Sequence, residues 1–348
     1  MNTGCFTTPS TCGPIWMRFH WMICCIRSGV ISKFILSALG LVITDHGWTK
    51  NIHMKKWLPT ICCVLSLYAG KAQQTTTSQK IPLLFRLDDI GMCHAVNMAA
   101  EEVLQTGMPV SMSVMVPCPW FTEAVAILKK YPNVSVGIHL TLNAEWKNYR
   151  WGPVAGAGAV PSLVDSLGHF FPSRTLLFGN NPKLTEIELE LRAQINKALK
   201  AGLKIDYLDY HMGAAMQTPQ TRAIVEKLAA EYGLAISRYY DEVDVEGGYA
   251  APVANKLDTL LMKVKLLQPG GTKLFVVHIG LDVPEMQAME DLNPSGPKNM
   301  SAHRNAELKA LLAPSFQQLI HDARFRIVTY GMLNKEIGLN NMKRPERL

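Results

Sequence analysis

Two kinds of apolar pattern alternate along most of this chain. In the first, a short stretch is apolar throughout or at every second position, as in Leu-Leu-Phe-Arg-Leu-Asp-Asp at 83–89 and Val-Ser-Val-Gly-Ile-His-Leu-Thr-Leu at 134–142. In the second, apolar residues return every three or four positions, as in Ala-Glu-Glu-Val-Leu at 100–104. A period of two belongs to a strand and a period near 3.6 to a helix. The first pattern predicts strands at 83–89, 110–117, 134–142, 205–210, 235–239, 273–279 and 326–330. The second predicts helices at 94–106, 119–131, 185–201, 219–232, 255–267 and 302–312. Regular alternation of the two argues for a parallel sheet with helical crossovers. Seven strands in about 275 residues suit a (β/α)-barrel near the size of the eight-stranded form. A doubly wound open sheet is the alternative, but no Gly-x-Gly-x-x-Gly follows the first strand. A single domain over 82–340 accounts for the pattern, with two long loops at 143–183 and 280–301. Loops of that length in a compact domain usually serve function.

The N-terminal part reads differently. Met54-Lys-Lys is followed by an apolar run at 58–68 and then by Gly70-Lys71-Ala72, the layout of a signal peptide cleaved after Ala72. No cysteine follows the expected cut, so a lipid anchor is not expected. The preceding 1–53 are expected to be an upstream extension not made in the cell, and 73–81 a polar linker. The alternative, a membrane anchor around 30–44, is short for a spanning helix and interrupted by Lys33. An exported protein, periplasmic or secreted and without a stable membrane anchor in its mature form, is the expectation.

Charge follows the same division. Of 35 basic and 28 acidic residues, seven and one lie in 1–72, leaving 28 and 27 for the body. All but one charge of the formal excess of +7 therefore sits at the N-terminus, and a nucleic-acid partner is not expected. Hydrophobic residues at 48% and charged residues at 18% exclude a mostly disordered chain. Six of the eight cysteines precede residue 73, so only Cys93 and Cys118 could form a bridge within the body.

Barrel active sites lie at the C-terminal ends of strands, and four predicted strands end in Asp or His. The first ends in Asp88-Asp89-Ile-Gly91, where both carboxylates reach one site only if the strand stops there. Together they suit one metal ligand and one base, or an N-cap for the following helix. The strand 134–142 sets Ser135, Gly137, His139 and Thr141 on one face, where glycine leaves room for a ligand beside the histidine. The strand 205–210 places Tyr207, Asp209 and His211 on one face. Asp209 is expected either to orient a neighbouring ring or to face the substrate. The strand 273–279 delivers His278. One carboxylate and two imidazoles form a set for a divalent metal, with imidazole leaning toward Zn2+ and oxygen ligands allowing Mg2+. A leftover Asp as base and a leftover His as acid would complete a hydrolase.

Leu-Asp-Asp-Ile-Gly at 87–91, Ser-Met-Ser-Val-Met at 111–115 and Gly-Ile-His-Leu-Thr-Leu at 137–142 resemble the YdjC-like carbohydrate deacetylase family. Tyr-Leu-Asp-Tyr-His at 207–211, Val-His-Ile-Gly at 277–280 and Arg-Asn-Ala-Glu-Leu at 304–308 continue the likeness in order, over roughly 82–332. The resemblance implies a barrel like that of polysaccharide deacetylases and a metal-dependent removal of acetyl groups from N-acetylated sugars. It implies Asp89, His139 and His211 as metal ligands, Asp88 as general base, His278 as the acid for the leaving amine, and Arg304 as the orienter of a carboxylate. It also allows a homodimer. Gly213 stands where the family often has the second His of His-x-His, and Ile279 where it has Pro. Trp146, Tyr149 and Trp151, in the loop after the third strand, are candidates for contacts to sugar faces, or for packing over the barrel mouth. Two further activities stay open: an O-acetyl esterase using the same chemistry, and a non-catalytic carbohydrate-binding barrel, whose mark would be loss of Asp88 or His278.

Overall fold

The computed structural model describes residues 80–245, 248–294 and 296–346. The expected extension at 1–53 and leader at 54–72 lie outside the described residues, as does the linker at 73–81 save its last two positions. No described helix is long and apolar enough to cross a membrane.

The strands are β1 (Ile81–Ile90), β2 (Ser111–Val114), β3 (Ser135–Leu140), β4 (Ile205–Tyr210), β5 (Ala235–Ile236), β6 (Glu242–Asp244), β7 (Thr272–Val277) and β8 (Phe325–Val328). Every ladder is parallel, in the order β5-β4-β3-β2-β1-β7-β6, with β8 paired to the first residues of β1. β1 is the hub because its residues are almost all buried, the signature of a parallel strand covered on both faces. Among the described residues no ladder joins β5 to β6, so the barrel is open there.

The helices are α1 (His94–Gln105), α2 (Phe121–Lys130), α3 (Arg174–Gly179), α4 (Leu184–Lys200), α5 (Pro219–Tyr232), α6 (Lys256–Lys265), α7 (Pro284–Gln287), α8 (Met300–Leu312), α9 (Pro314–Ile320) and α10 (Tyr330–Glu336). Leu83, Phe85 and Leu87 of β1 join the larger core together with the inner faces of these helices. Leu84 points the other way and joins Tyr207, Leu274, Val328 and Tyr330 in a separate apolar plug. Two residues further along the same face come Arg86 and then Asp88, both buried. The barrel interior is thus apolar at its base and charged toward its top.

Eight strands replace the seven expected. The expected strand 235–239 shortens to two residues, and the short β6 follows it. β6 is polar and largely exposed, so no alternation marked it. The expected strand 326–330 ends early because Tyr330 opens α10, capped by the Thr329 side chain. Cys93 and Cys118 are both free and buried, so no bridge links them.

Polar residues on the buried face of α4 secure the first long loop. Glu190 accepts the main-chain N–H groups of Val154 at 3.0 Å and Ala155 at 2.8 Å. Gln194 bonds both the N–H and the carbonyl of Thr141. The second long loop is stitched to the first by an isolated antiparallel bridge, Trp146 to Asp291. Leu292 N donates to Glu145 O at 2.9 Å and Lys147 N to Glu290 O at 2.8 Å.

Candidate active site

The end of β1 resolves how adjacent aspartates reach one site. Asp89 adopts φ 66°, a left-handed conformation open to Asp at modest cost, and the β1–β2 register slips between Leu87 and Ile90. This bulge cancels the alternation and leaves both carboxylates buried inside the barrel mouth.

Asp89, His139 and His211 come together. Asp89 Oδ1 lies 3.4 Å from His139 Nε2 and 3.3 Å from His211 Nδ1, and the two ring nitrogens lie 3.3 Å apart. Each ring is oriented from behind by a carboxylate. His139 Nδ1 donates to Asp209 Oδ2 at 2.9 Å, and His211 Nε2 donates to Glu145 Oε2 at 2.9 Å. In their neutral forms the rings so held would present a lone pair from His139 Nε2 and from His211 Nδ1, both beside Asp89 Oδ1. Asp89 Oδ1 is buried without a hydrogen-bond partner among the described residues, while Arg304 Nη2 holds Oδ2 at 2.5 Å. Around the triangle, the buried carboxylates of Asp88, Asp89, Asp209 and Glu145 are met among the described residues by two buried guanidiniums, Arg86 and Arg304, a deficit of two positive charges with neutral histidines. A divalent cation at the triangle closes the deficit and uses the orphaned oxygen, so the residues fit such an ion.

The same charges set the protonation of the site. Burial pushes Asp89 up, but Arg304 and the two imidazoles outweigh it and hold the carboxyl well below its ordinary value. Asp88 is likewise lowered, with Arg86 and His139 overcoming burial. His139 is raised well above the usual imidazole range because Asp209 and Asp88 outweigh burial. His211 is pushed up to about 9 by Glu145 and Asp89 against burial. His278 moves the other way: burial lowers it and Arg304 adds to that, against the pull of Asp89 and Asp88.

Asp88 is clamped by Arg86, whose Nε and Nη2 each donate to it at 2.7 Å. The guanidinium also reaches Asp209 at 3.1 Å and Ser237 Oγ at 2.7 Å. Arg86 thus ties Asp88 to the carboxylate behind His139. A second group of potential ligands, Asp88, His139 and Asp209, surrounds it, and the guanidinium is the cation already in place there.

These residues open onto a cavity of about 980 Å3, lined among others by Asp88, Asp89, His139, His211, His278 and Arg304. Trp146, expected to touch sugar, borders it from within the wall: its ring is fully buried, Nε1 donates to Met92 Sδ at 3.2 Å and the Arg304 guanidinium lies 5.9 Å from it, so it packs the cavity floor and presents no free face. The other residues expected to touch sugar do not line it. Trp151 Nε1 donates to Asn143 O at 2.8 Å and Tyr149 OH to Met92 O at 2.5 Å, so both rings pack beneath the loop. Asp209 is fully buried, with its carboxylate on His139 and Arg86 rather than on the cavity. The room expected beside His139 is also taken from within. A Cβ on Gly137 would lie 2.3 Å from the Tyr207 ring, whose hydroxyl pairs with Ser113 Oγ at 2.7 Å. Gly213 has φ 73°, and Arg174 Nη1 lies 3.1 Å from where its Cβ would stand, so Arg174 forms that part of the wall.

Two contributors escaped the sequence reading. Arg86 carried a usable sign, its spacing of two from Asp88 on a strand. Glu145 carried none, because its place follows from the loop pairing with Leu292.

Comparison with known proteins places this chain in a family. The family model described as YdjC-like protein matches residues 82–322. The chain is 30% identical over 269 residues to a carbohydrate deacetylase of Brevibacillus brevis, covering 72% of this chain and 99% of that protein. It is 26% identical over 265 residues to a carbohydrate deacetylase of Thermoanaerobacter pseudethanolicus, covering 72% and 98%. Its fold is shared with a protein of Enterococcus faecalis named for cellobiose-phosphate cleavage, at TM-score 0.60 and 22% identity, covering 73% of this chain and 99% of that one. Since the match runs from β1 past α9 and takes in every strand that carries a site residue, the chain belongs to the family of YdjC-like proteins.

Proposed function

We propose that this protein is a metal-dependent carbohydrate deacetylase that removes acetyl groups from N-acetylated sugars. The observation that carries the reading is the triangle of Asp89 Oδ1, His139 Nε2 and His211 Nδ1, flanked by Asp88 and His278 in one cavity. The named relatives are carbohydrate deacetylases, which supports the substrate class. Asp89, His139 and His211 would hold a divalent ion, Zn2+ or Mg2+, which supplies Lewis acidity toward a water and an acyl carbonyl.

The chain's own residues account for the rest. Asp88, kept ionised by Arg86, takes the proton of the attacking water. The Arg86 clamp fixes that carboxylate in place, so its orientation is set before the substrate arrives. His278 protonates the departing amine. Arg304 holds Asp89 and keeps Nε and Nη1 without partners among the described residues.

The test is acetate release from a panel of N- and O-acetylated saccharides, with added Zn2+, Mg2+ or Mn2+ or with chelator. Metal-dependent release from N-acetylated sugars, abolished in Asp88→Asn, is the expected result. Release from O-acetylated sugars alone would convert the reading to an esterase, and no release with metal bound would refute it. The leader-like segment at 54–72 adds export to the proposal. N-terminal sequencing of the native protein should give Gln73, and a start before Met54 would count against it.

A further inference from the structure

His139 and His211 each have a carboxylate on the back of the ring, but His278 has none. Its Nδ1 is buried without a hydrogen-bond partner among the described residues. Whatever orients this imidazole acts through the main chain and the surrounding wall. Lys256 at the start of α6 and Glu307 on α8 form an ion pair of 2.7 Å, with relative exposures of 4% and 8%. Burying two such charges is costly unless each remaining bond is satisfied. Here every other bond lands beside His278. Glu307 Oε2 accepts the His278 main-chain N–H at 2.8 Å. Lys256 Nζ donates to Gly248 O at 2.9 Å and Tyr249 O at 2.8 Å. The Tyr249 ring stands edge-on to His278 with centroids 5.0 Å apart. Glu307 also lies one helical turn after Arg304, so one face of α8 addresses both Asp89 and His278.

We propose that Glu307, with Lys256 behind it, is a positioning residue that sets the His278 imidazole toward the leaving nitrogen. Glu307 fixes the end of β7, and Lys256 holds the Gly248–Tyr249 carbonyls so that Tyr249 walls the ring. The inference rests on the deacetylase reading and predicts a signature of its own. Amide cleavage needs a proton on a poor leaving group, whereas 4-nitrophenyl acetate expels a stable phenolate that needs none.

Glu307→Ala is compared with wild type on an N-acetylated sugar and on 4-nitrophenyl acetate. The expected result is a fall in kcat on the amide of roughly 10- to 100-fold, part of the roughly 100- to 10,000-fold that general acid catalysis supplies. KM should stay within about twofold, and the loss on the amide should exceed that on the ester by about tenfold or more. Glu307→Gln, which keeps an oxygen acceptor for the His278 N–H, should recover most of that ratio. Equal losses on both substrates, or no loss on either, would overturn the proposal. If Glu307→Ala does not fold, Lys256→Gln attacks the same link from its other end and is read by the same ratio.

A second readout needs no substrate. In histidine-labelled protein the His278 ring signal should be single and sharp in wild type and shifted or broadened in the variants. Identical signals would overturn the proposal. A wild type that releases no acetate would defeat the deacetylase reading, and the ring signal would then decide this inference separately.

Discussion

At the scale of single residues the site is governed by what stands behind each ligand. A buried imidazole binds a cation only when its other nitrogen has somewhere to put a proton. Asp209 fills that need for His139 and Glu145 for His211. Glu145→Ala should therefore weaken divalent-ion binding roughly 10- to 100-fold while leaving all three expected ligands in place. Competition with a chromogenic chelator measures it, and an unchanged dissociation constant would remove Glu145 from the ion's support. The acid has the opposite electrostatics. Because His278 is lowered by burial and by Arg304, its protonated form is lost as pH rises through a value below its ordinary one. Asp88 is lowered too and stays ionised there. Amide cleavage limited by proton delivery should thus decline on the alkaline side from below neutrality, and His278→Ala should lack that limb. A wild-type rate that stays flat into the alkaline range would contradict the role. The strand-end aspartates and histidines were legible because packing gives no reason for polar side chains there. Glu145 and the Lys256–Glu307 pair were not, because their partners lie far away in sequence.

At the scale of elements the same division recurs. The period-two and period-3.6 patterns located the six longer helices to within a few residues, and four of these bury a largely apolar face, while α6 buries only Lys256 and Val264 and α8 turns Arg304 and Glu307 inward. What periodicity could not show was the local break that makes the site. The bulge at Asp88-Asp89 is written only as a polar pair before glycine, and its geometry needs the β2 register. The gap at Gly137 was read as space for a ligand, yet it is the seat of the Tyr207 ring, which also stacks on Tyr330 at 4.1 Å. A methyl group there must displace an aromatic ring inside a filled barrel, and overpacking of this kind typically costs about 1–3 kcal/mol. Gly137→Ala should lower the urea midpoint accordingly. It should also reduce activity, because His139 lies two residues along the same strand. An unaltered midpoint would mean that the Tyr207 ring moves aside freely. α4 teaches a related lesson. Glu190 and Gln194 sit on its buried face because they bind loop main chain, and Glu190 is raised by burial despite the N–H groups it accepts. A helix that carries a loop must interrupt its own apolar stripe to do so.

At the scale of the whole molecule, the open seam between β5 and β6 and the two stitched loops surround a charged layer that the chain alone does not neutralise. Four carboxylates against two guanidiniums, all buried, are tolerable when the histidines take protons or when a divalent ion takes their place. The choice couples the site to the stability of the barrel, because the ion binds an arrangement that exists only when β1, β3 and β4 are aligned. An ion that binds the folded chain at about 100 times its dissociation constant adds about 2.7 kcal/mol of stability. Thermal unfolding of the purified protein should therefore move to higher temperature with Zn2+ and back with chelator. In His139→Ala, which removes one corner of the triangle, the metal-induced shift should shrink sharply. The comparison is made between shifts, so any cost of the substitution to the metal-free fold cancels. If His139→Ala retained the full shift, the stabilising ion would be bound elsewhere, and the triangle of Asp89, His139 and His211 would lose its claim to it.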